Sequence, residues 1–337
     1  MSWNRIRGQD AARQTFFSAL ERNRLAHAYL LVGPDGVGKQ LFARELAKAF
    51  LCEKPPAKLT ACDSCPACAQ VEAGTHPDLL YLRTPEGKHE LPVDEMRNFC
   101  TQLALKPARG SRKIGIVVDA DDFNEESSNS FLKTLEEPPP GSLLLLLATS
   151  TDRQLATILS RCQLVRFAPL NLADVEAILA ERGITDAAKR TRLARLGAGS
   201  VDRALALDDD SIWQVRLAIV EGLASRRPNF QSLAEVWSKF YEDAGKDTAA
   251  QRMRVSLVLA FLTETVQQAL RLSLGASVSG LDAAETERLR SFANRVGTNG
   301  LLELLEKCVE ADYHVERRVQ LILVIESVLE KFTAKAK

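Results

Sequence analysis

No stretch of this 337-residue sequence approaches about eighteen uninterrupted apolar residues, and its start, MSWNRIRGQD, carries no apolar core of signal-peptide length. Neither a membrane span nor a leader is expected, and the chain reads as cytosolic. It also lacks net charge, because 44 basic residues cancel 44 acidic ones. That balance excludes a domain whose main work is to coat nucleic acid by charge alone, so any DNA contact is expected to be local or made through partner chains. No internal repeat, low-complexity tract or coiled-coil heptad stands out.

What remains is an ordinary globular composition, 46% hydrophobic and 26% charged, in a chain longer than one usual core supports. Short apolar runs of strand length alternate with helical patterns through the first half: Ala28–Val32, Leu79–Leu82, Ile114–Val118, Leu143–Ala148 and Leu164–Phe167. This alternation predicts an α/β fold, a parallel sheet covered by helices. The run Leu143–Leu147 is apolar at every position, as a central strand buried on both faces requires. Asn124 before Glu125 and Glu126 suits a helix N-terminus, and Pro138, Pro139 and Pro140 stop that helix.

Beyond Pro169 the strand signals fade. Short helices are expected at Leu172–Glu181 and Ala187–Arg195, ending near Gly197 and Gly199, and longer ones follow with breaks at Pro228, Leu274–Ser279 and Gly297–Gly300. The expected division is 1–168 for a nucleotide-binding-type domain, 169–209 for a small helical domain and 210–337 for an all-helical domain. A last helix over Val315–Phe332 carries so much apolar surface that it is either a core helix or a subunit interface.

After the first strand comes Gly33-Pro-Asp-Gly36-Val-Gly38-Lys39-Gln40, followed by a helix. Glycines at this spacing let backbone N–H groups turn toward a phosphate at a helix N-terminus, and the lysine reaches the outer phosphates. The final position should carry a short hydroxyl for magnesium, and Gln40 stands there instead. Asp119, at the end of Ile114–Val118, is placed to hold magnesium or its waters. The next residue should be a glutamate that acts on the attacking water, but it is Ala120. Asp121 or Asp122 could stand in as the base; otherwise the pocket is inert, with ATP binding weak or absent.

Cys52, Cys62, Cys65 and Cys68 give C-x9-C-x2-C-x2-C between the phosphate-loop helix and the second strand. Four thiolates so spaced can close a tetrahedron around a structural zinc; an iron–sulfur cluster and free thiols are the alternatives. Cys100, Cys162 and Cys308 read as isolated buried side chains, and His76 as a loop residue rather than a ligand. The basic stretch from Lys106 to Lys113 reads as a solvated loop before a possible DNA contact.

Several motifs together resemble bacterial clamp-loader AAA+ subunits. They are Gly8-Gln9, His27-Ala-Tyr-Leu before the phosphate loop, the four-cysteine insertion, Phe131-Leu-Lys-Thr-Leu-Glu-Glu-Pro-Pro139 and Ile158-Leu-Ser-Arg-Cys162. The resemblance implies an AAA+ P-loop domain with a zinc module, a helical lid and a helical C-terminal collar. It implies a hetero-pentameric ring with gamma/tau- and delta-type subunits that loads a sliding clamp onto primed DNA for a DNA polymerase holoenzyme. The family's ATPase members keep Thr after the loop lysine and Glu after the strand aspartate, so Gln40 and Ala120 place this chain with its non-hydrolysing members; a hydrolysing gamma-type subunit is the rival. A stand-alone zinc protein with a vestigial nucleotide fold is a second one. By the same resemblance Arg161 is an arginine finger offered in trans to a neighbour's ATP, where otherwise it would be a solvated loop residue. Thr149 takes the polar sensor position. In Gly199-Ser200-Val201-Asp202-Arg203 an acid stands where the family's second sensor arginine belongs.

Overall fold

The structure is a computed structural model that describes residues 2–85, 88, 90–109, 112–225, 229–245, 248–276, 278, 283–317 and 319–335. Its five apolar runs become β1 (Ala28–Val32), β2 (Leu79–Leu82), β3 (Lys113–Val117), β4 (Ser142–Ala148) and β5 (Gln163–Arg166). They form one sheet in the order β2-β3-β4-β1-β5, and every neighbouring pair is parallel. The third and fifth strands begin one residue earlier than their apolar patterns suggest. Lys113 and Gln163 extend the ladders although their side chains carry no hydrophobic signal.

β4 explains why the sheet is central. Leu143, Leu145 and Leu147 enter one core with Tyr29, Leu31, Ile114 and Ile116, whereas Leu144 and Leu146 enter the opposite core with Leu30, Val32 and Val117. Period-two alternation therefore places apolar residues on both faces, which only a strand covered by helices on each side can tolerate.

The chain divides into two compact units, Met1–Ala204 and Leu205–Lys337. Around the sheet lie α1 (Asp10–Glu21), α2 (Lys39–Leu51), α3 (Pro66–Glu72), α4 (Val93–Ala104), α5 (Glu125–Glu136) and α6 (Ala156–Leu159); α7 (Leu172–Glu181), α8 (Ala187–Leu196) and α9 (Val201–Ala206) follow. Asn124 caps α5 by accepting the Ser127 N–H at 2.8 Å while Ser127 Oγ accepts the Asn124 N–H at 3.1 Å. That helix ends at Glu136, just ahead of the three prolines.

The second unit is helical: α10 (Asp210–Ala224), α11 (Phe230–Glu242), α12 (Thr248–Ser273), α13 (Ala283–Glu316) and α14 (Leu321–Lys335). Gly297 breaks α13 with φ 72° and ψ 161°, as its sequence position suggested. Pro228 lies outside the described residues, and α12 ends at Ser273, at the edge of the break expected over Leu274–Ser279. The last helix is shorter than Val315–Phe332. Val315 belongs to α13, which ends at Glu316, and α14 begins only at Leu321, because Glu316–Gln320 offers a single apolar residue with which to continue a buried face. Val324, Ile325, Val328, Leu329 and Phe332 are buried core, while Ile322 and Leu323 are exposed. Among the described residues no helix is long and apolar enough to cross a membrane.

Candidate functional site

Ligands of parallel α/β sheets bind beyond the carboxyl ends of the strands. Here those ends bring together the loop after β1, Asp119 after β3 and Thr149 after β4, as the sequence pattern anticipated. Gly33 donates its N–H to Ala148 O at 3.2 Å, and a Cβ on it would lie 2.3 Å from Phe167 O, so β1 and β5 close together only around a glycine here. Gly36 and Gly38 have φ of 74° and 95°, the left-handed region that a phosphate-cradling turn requires.

The loop is turned upon itself. Lys39 is 8% exposed, and its ammonium donates to Gly33 O, to Pro34 O at 2.7 Å and to Asp35 Oδ1 at 3.5 Å. A lysine has three donors, and the loop takes all three. Burial holds the Lys39 pKa below its ordinary value despite the opposing charges of Asp35, Asp121 and Asp202. Gln40, at the magnesium-hydroxyl position, is exposed in the first turn of α2.

The acids after β3 are committed to structure. Asp119 accepts the Thr84 N–H at 3.2 Å, and burial raises its pKa. Ala120 is 1% exposed and packs in the core with Leu91, Met96 and Phe131, so the glutamate position is filled by hydrophobic packing. Asp121 accepts the Thr149 N–H at 2.7 Å on one oxygen and Gln154 Nε2 at 2.9 Å on the other. These two bonds turn the Asp121 carboxylate toward the end of β4 and Gln154, so its direction is set by the fold. Thr149 thus acts through its backbone N–H.

A contact that sequence reasoning missed closes the loop from above. Val201 N donates to Gly36 O at 2.9 Å, and a Cβ on Gly36 would lie 2.3 Å from Ser200 Oγ. The segment carrying Asp202 in place of a sensor arginine is therefore docked on the phosphate loop. The Asp202 carboxyl is pushed above the usual carboxylate range by partial burial and then by the Asp35 charge. Gly36→Ala combines a positive φ with this clash and should lower stability by about 1–3 kcal/mol in denaturant titration. An unchanged midpoint would show that the docked segment yields freely. Gln9 braces the loop from below, donating to Val37 O at 3.2 Å and Ala168 O at 2.9 Å. His27 likewise bonds Leu135 O at 2.9 Å. Both residues stand in motifs the sequence singled out, but their partners were not legible there, since each meets backbone carbonyls distant in sequence.

Arg161, 31% exposed, is held by its own chain. Its Nε and Nη2 donate to Glu136 Oε1 at 3.0 and 2.5 Å, and its Nη1 donates to Thr157 O at 2.9 Å and Ser160 Oγ at 3.1 Å.

The four cysteines come together as predicted. Their sulfurs all lie within 4.8 Å of one another, and Cys62 Sγ and Cys68 Sγ are 3.9 Å apart. Four sulfurs at ~2.3 Å from one zinc stand ~3.8 Å apart, so the cluster can hold a metal ion. Backbone N–H groups support the thiolates: Cys62 N points to Cys52 Sγ at 3.3 Å and Cys68 N to Cys65 Sγ at 3.4 Å. Hydrogen bonds from Ser64 bring the Cys62 thiol down to about 6, whereas burial pushes Cys52 and Cys68 up. Beneath the cysteines only Ala61 and Ala67 are buried, too little apolar surface to fix the loop without another tie. His76 is 3% exposed and accepts the Asp78 N–H at 3.1 Å, away from the cluster. Cys308 is buried and Cys100 and Cys162 half-buried; burial raises all three thiols, Cys162 and Cys308 to about 12. In the basic loop, Asp78 accepts the N–H groups of Ala108 and Arg109 at 2.6 and 2.7 Å; Gly110 and Ser111 lie outside the described residues.

Residues 8–171 match the family described as DNA polymerase III, delta subunit. A DNA polymerase III subunit delta' of Pseudomonas aeruginosa is 33% identical over 218 residues, which cover 63% of this chain and 66% of that protein. A subunit delta' of Bacillus subtilis is 28% identical over 330 residues, 90% of this chain and 97% of that protein. By these matches the chain is a relative of the bacterial DNA polymerase III delta-prime subunits. The tau subunit of Escherichia coli is 28% identical over 305 residues, 86% of this chain but 47% of that longer protein. Relative to the delta-prime family, then, the chain spans nearly the whole of one relative and just under two thirds of another, and about half of the tau relative.

Proposed function

We propose that this chain is the non-hydrolysing stator of a clamp loader. It assembles with gamma/tau- and delta-type subunits in a hetero-pentameric ring, keeps its own nucleotide pocket silent and completes a neighbour's ATP site with Arg161, so that the complex loads a sliding clamp onto primed DNA. In this reading residues 169–209 form a lid, residues 210–337 form the oligomerising collar, and the four cysteines hold a structural zinc.

One observation carries the reading: the position where the family's glutamate belongs is Ala120, packed into the core, and the Asp121 carboxylate beside it is turned to Thr149 and Gln154. Gln40 and the loop-bound Lys39 add to it, since neither presents a group to a magnesium–phosphate complex. A gamma-type hydrolysing subunit is disfavoured for the same reason. Arg161 lies outside this pocket, on the far side of α6 in sequence, and an arginine donated across a boundary stabilises charge on a transferring phosphoryl group, worth about 10³–10⁵ in rate in other nucleotide hydrolases.

The test is reconstitution with gamma and delta subunits. The isolated chain should release no phosphate above background. Arg161→Ala should leave ring assembly intact and lower the ATPase rate of the whole complex. Steady turnover by the isolated chain that Lys39→Ala abolishes would overturn the silent pocket, and an Arg161→Ala complex with unchanged ATPase and clamp loading would overturn the finger.

A further inference from the structure

Resting on that reading of Arg161, we propose that Glu136 is the positioning residue of the arginine finger: it sets the guanidinium in its working orientation before the neighbouring subunit arrives. A long cationic side chain on an exposed turn ordinarily samples many rotamers, and both arginine and lysine carry about 2 kcal/mol of rotamer entropy. Arg161 does not have that freedom. Three of its nitrogens are engaged at once, with Nε and Nη2 both on Glu136 Oε1 and Nη1 on Thr157 O and Ser160 Oγ. Two acceptors come from its own turn, and only Glu136 comes from elsewhere, 25 residues back at the end of α5. Glu136 is the last residue of α5, and the prolines that follow at 138–140 restrict the backbone that leaves it. The pair therefore ties α5 to the turn that follows α6.

Stability alone does not account for this arrangement. The two side chains are 31% and 50% exposed, and ion pairs so open to water contribute about 0–1 kcal/mol. Their larger effect is orientation. A group that must meet a phosphoryl oxygen within about an ångström gains rate from being placed beforehand, because the ordering is then complete before the encounter. Glu136 makes no approach to a phosphate in this role; it acts through Arg161.

The experiment is a double-mutant cycle read in the reconstituted complex as ATPase rate against ATP concentration. Glu136→Ala should lower kcat by about three- to tenfold with little change in KM for ATP and an unchanged melting temperature of the isolated chain. Glu136→Gln, which keeps a carbonyl acceptor for the guanidinium, should recover part of that loss. In an Arg161→Ala background Glu136→Ala should have no further effect. If Arg161→Ala lowers the rate but Glu136→Ala leaves it unchanged or raises it, the positioning role is overturned while the finger stands. If Arg161→Ala itself changes nothing, the finger reading fails and the positioning role falls with it. An additive loss in the Arg161→Ala background would assign Glu136 to something other than Arg161 and also overturn the proposal.

Discussion

Removing the metal from the four-cysteine module, by chelation or by Cys65→Ser, should unfold the 52–72 segment and lower the melting temperature of the chain by roughly 12 °C. The reasoning starts from what else holds that segment. Leu59 and Val71 reach the main core, but around the cysteines the segment buries only alanines and the cysteines themselves, and Leu59 and Asp63 sit at positive φ, 55° and 58°. One outside tie is Trp3 Nε1, which donates to Leu59 O at 2.5 Å. A closed four-thiolate zinc has an apparent binding energy of about 10–16 kcal/mol in small zinc-binding peptides, and most of it appears as folding energy. If about 4 kcal/mol of that is felt by the surrounding unit, at about 3 °C per kcal/mol for a unit of this size, the shift follows. Cys65 is the position to change, because it is buried and its sulfur also accepts the Cys68 N–H that starts α3. Metal content by emission spectroscopy, paired with calorimetry, decides the matter. Protein purified without metal, or a Cys65→Ser chain that melts as the wild type does, would remove zinc from the account.

Lys48→Met should destabilise the chain by about 3–5 kcal/mol, and adding Glu45→Met should recover most of the loss. Lys48 lies at the middle of a charged knot joining α2 to the cysteine module: it is 3.0 Å from Glu45, 3.0 Å from Asp63 and 3.2 Å from Glu72, while Arg5 reaches Glu72 at 2.9 Å. Glu45 is 0% exposed. Burial alone would pull the Lys48 pKa down, but the hydrogen bonds it donates to Asp63, Glu45 and Glu72 outweigh it and leave it raised. Glu45 carries the opposite signal, since burial raises its pKa more than Lys48 lowers it. The charged form of Lys48 is the firmer of the two, because three acids surround one ammonium. Without it, Glu45 is left as a buried anion with only the more distant Arg5 to offset it. The sign of the pH dependence follows. Glu45's folded pKa lies above its unfolded value, so its ionisation opposes folding above that range, and the deficit of Lys48→Met should shrink as pH falls and the carboxyl takes up a proton. Denaturant midpoints of the two variants from neutral to mildly acid pH provide the check. A deficit that ignores pH, or a double variant no better than the single one, would mean lost packing rather than a stranded charge.

The strands, the glycine loop, the α5 cap and the proline stop after it were all legible in the sequence. Each depends on neighbours within a few positions, where period and residue type speak directly. The cysteine spacing was readable for the same reason, and the structure gathers those sulfurs as the spacing requires. The end of α13 was not, because Val315, Val319 and Ile322 keep helical spacing across the charged residues between them, and only the structure shows Val319, Ile322 and Leu323 exposed. Nor was the knot around Lys48, whose partners Asp63 and Glu72 lie in the insertion and whose type alone reads as surface charge.

By itself the sequence determined that this chain has the frame of a phosphate-binding sheet without the hydroxyl and carboxylate that hydrolysis needs, since Gln40 and Ala120 are facts of composition at known places in a local motif. Only the tertiary structure decided what the polar groups around that frame are bonded to. Asp121 is held by Thr149 and Gln154, the loop is capped by the Ser200 segment, and Arg161 is fixed by Glu136. Those partners are 28, 33, 164 and 25 residues apart, and hydrogen-bond pairing over such separations follows no period along the chain. It exists only once burial has brought the strand ends together and each polar group has had to find its acceptor.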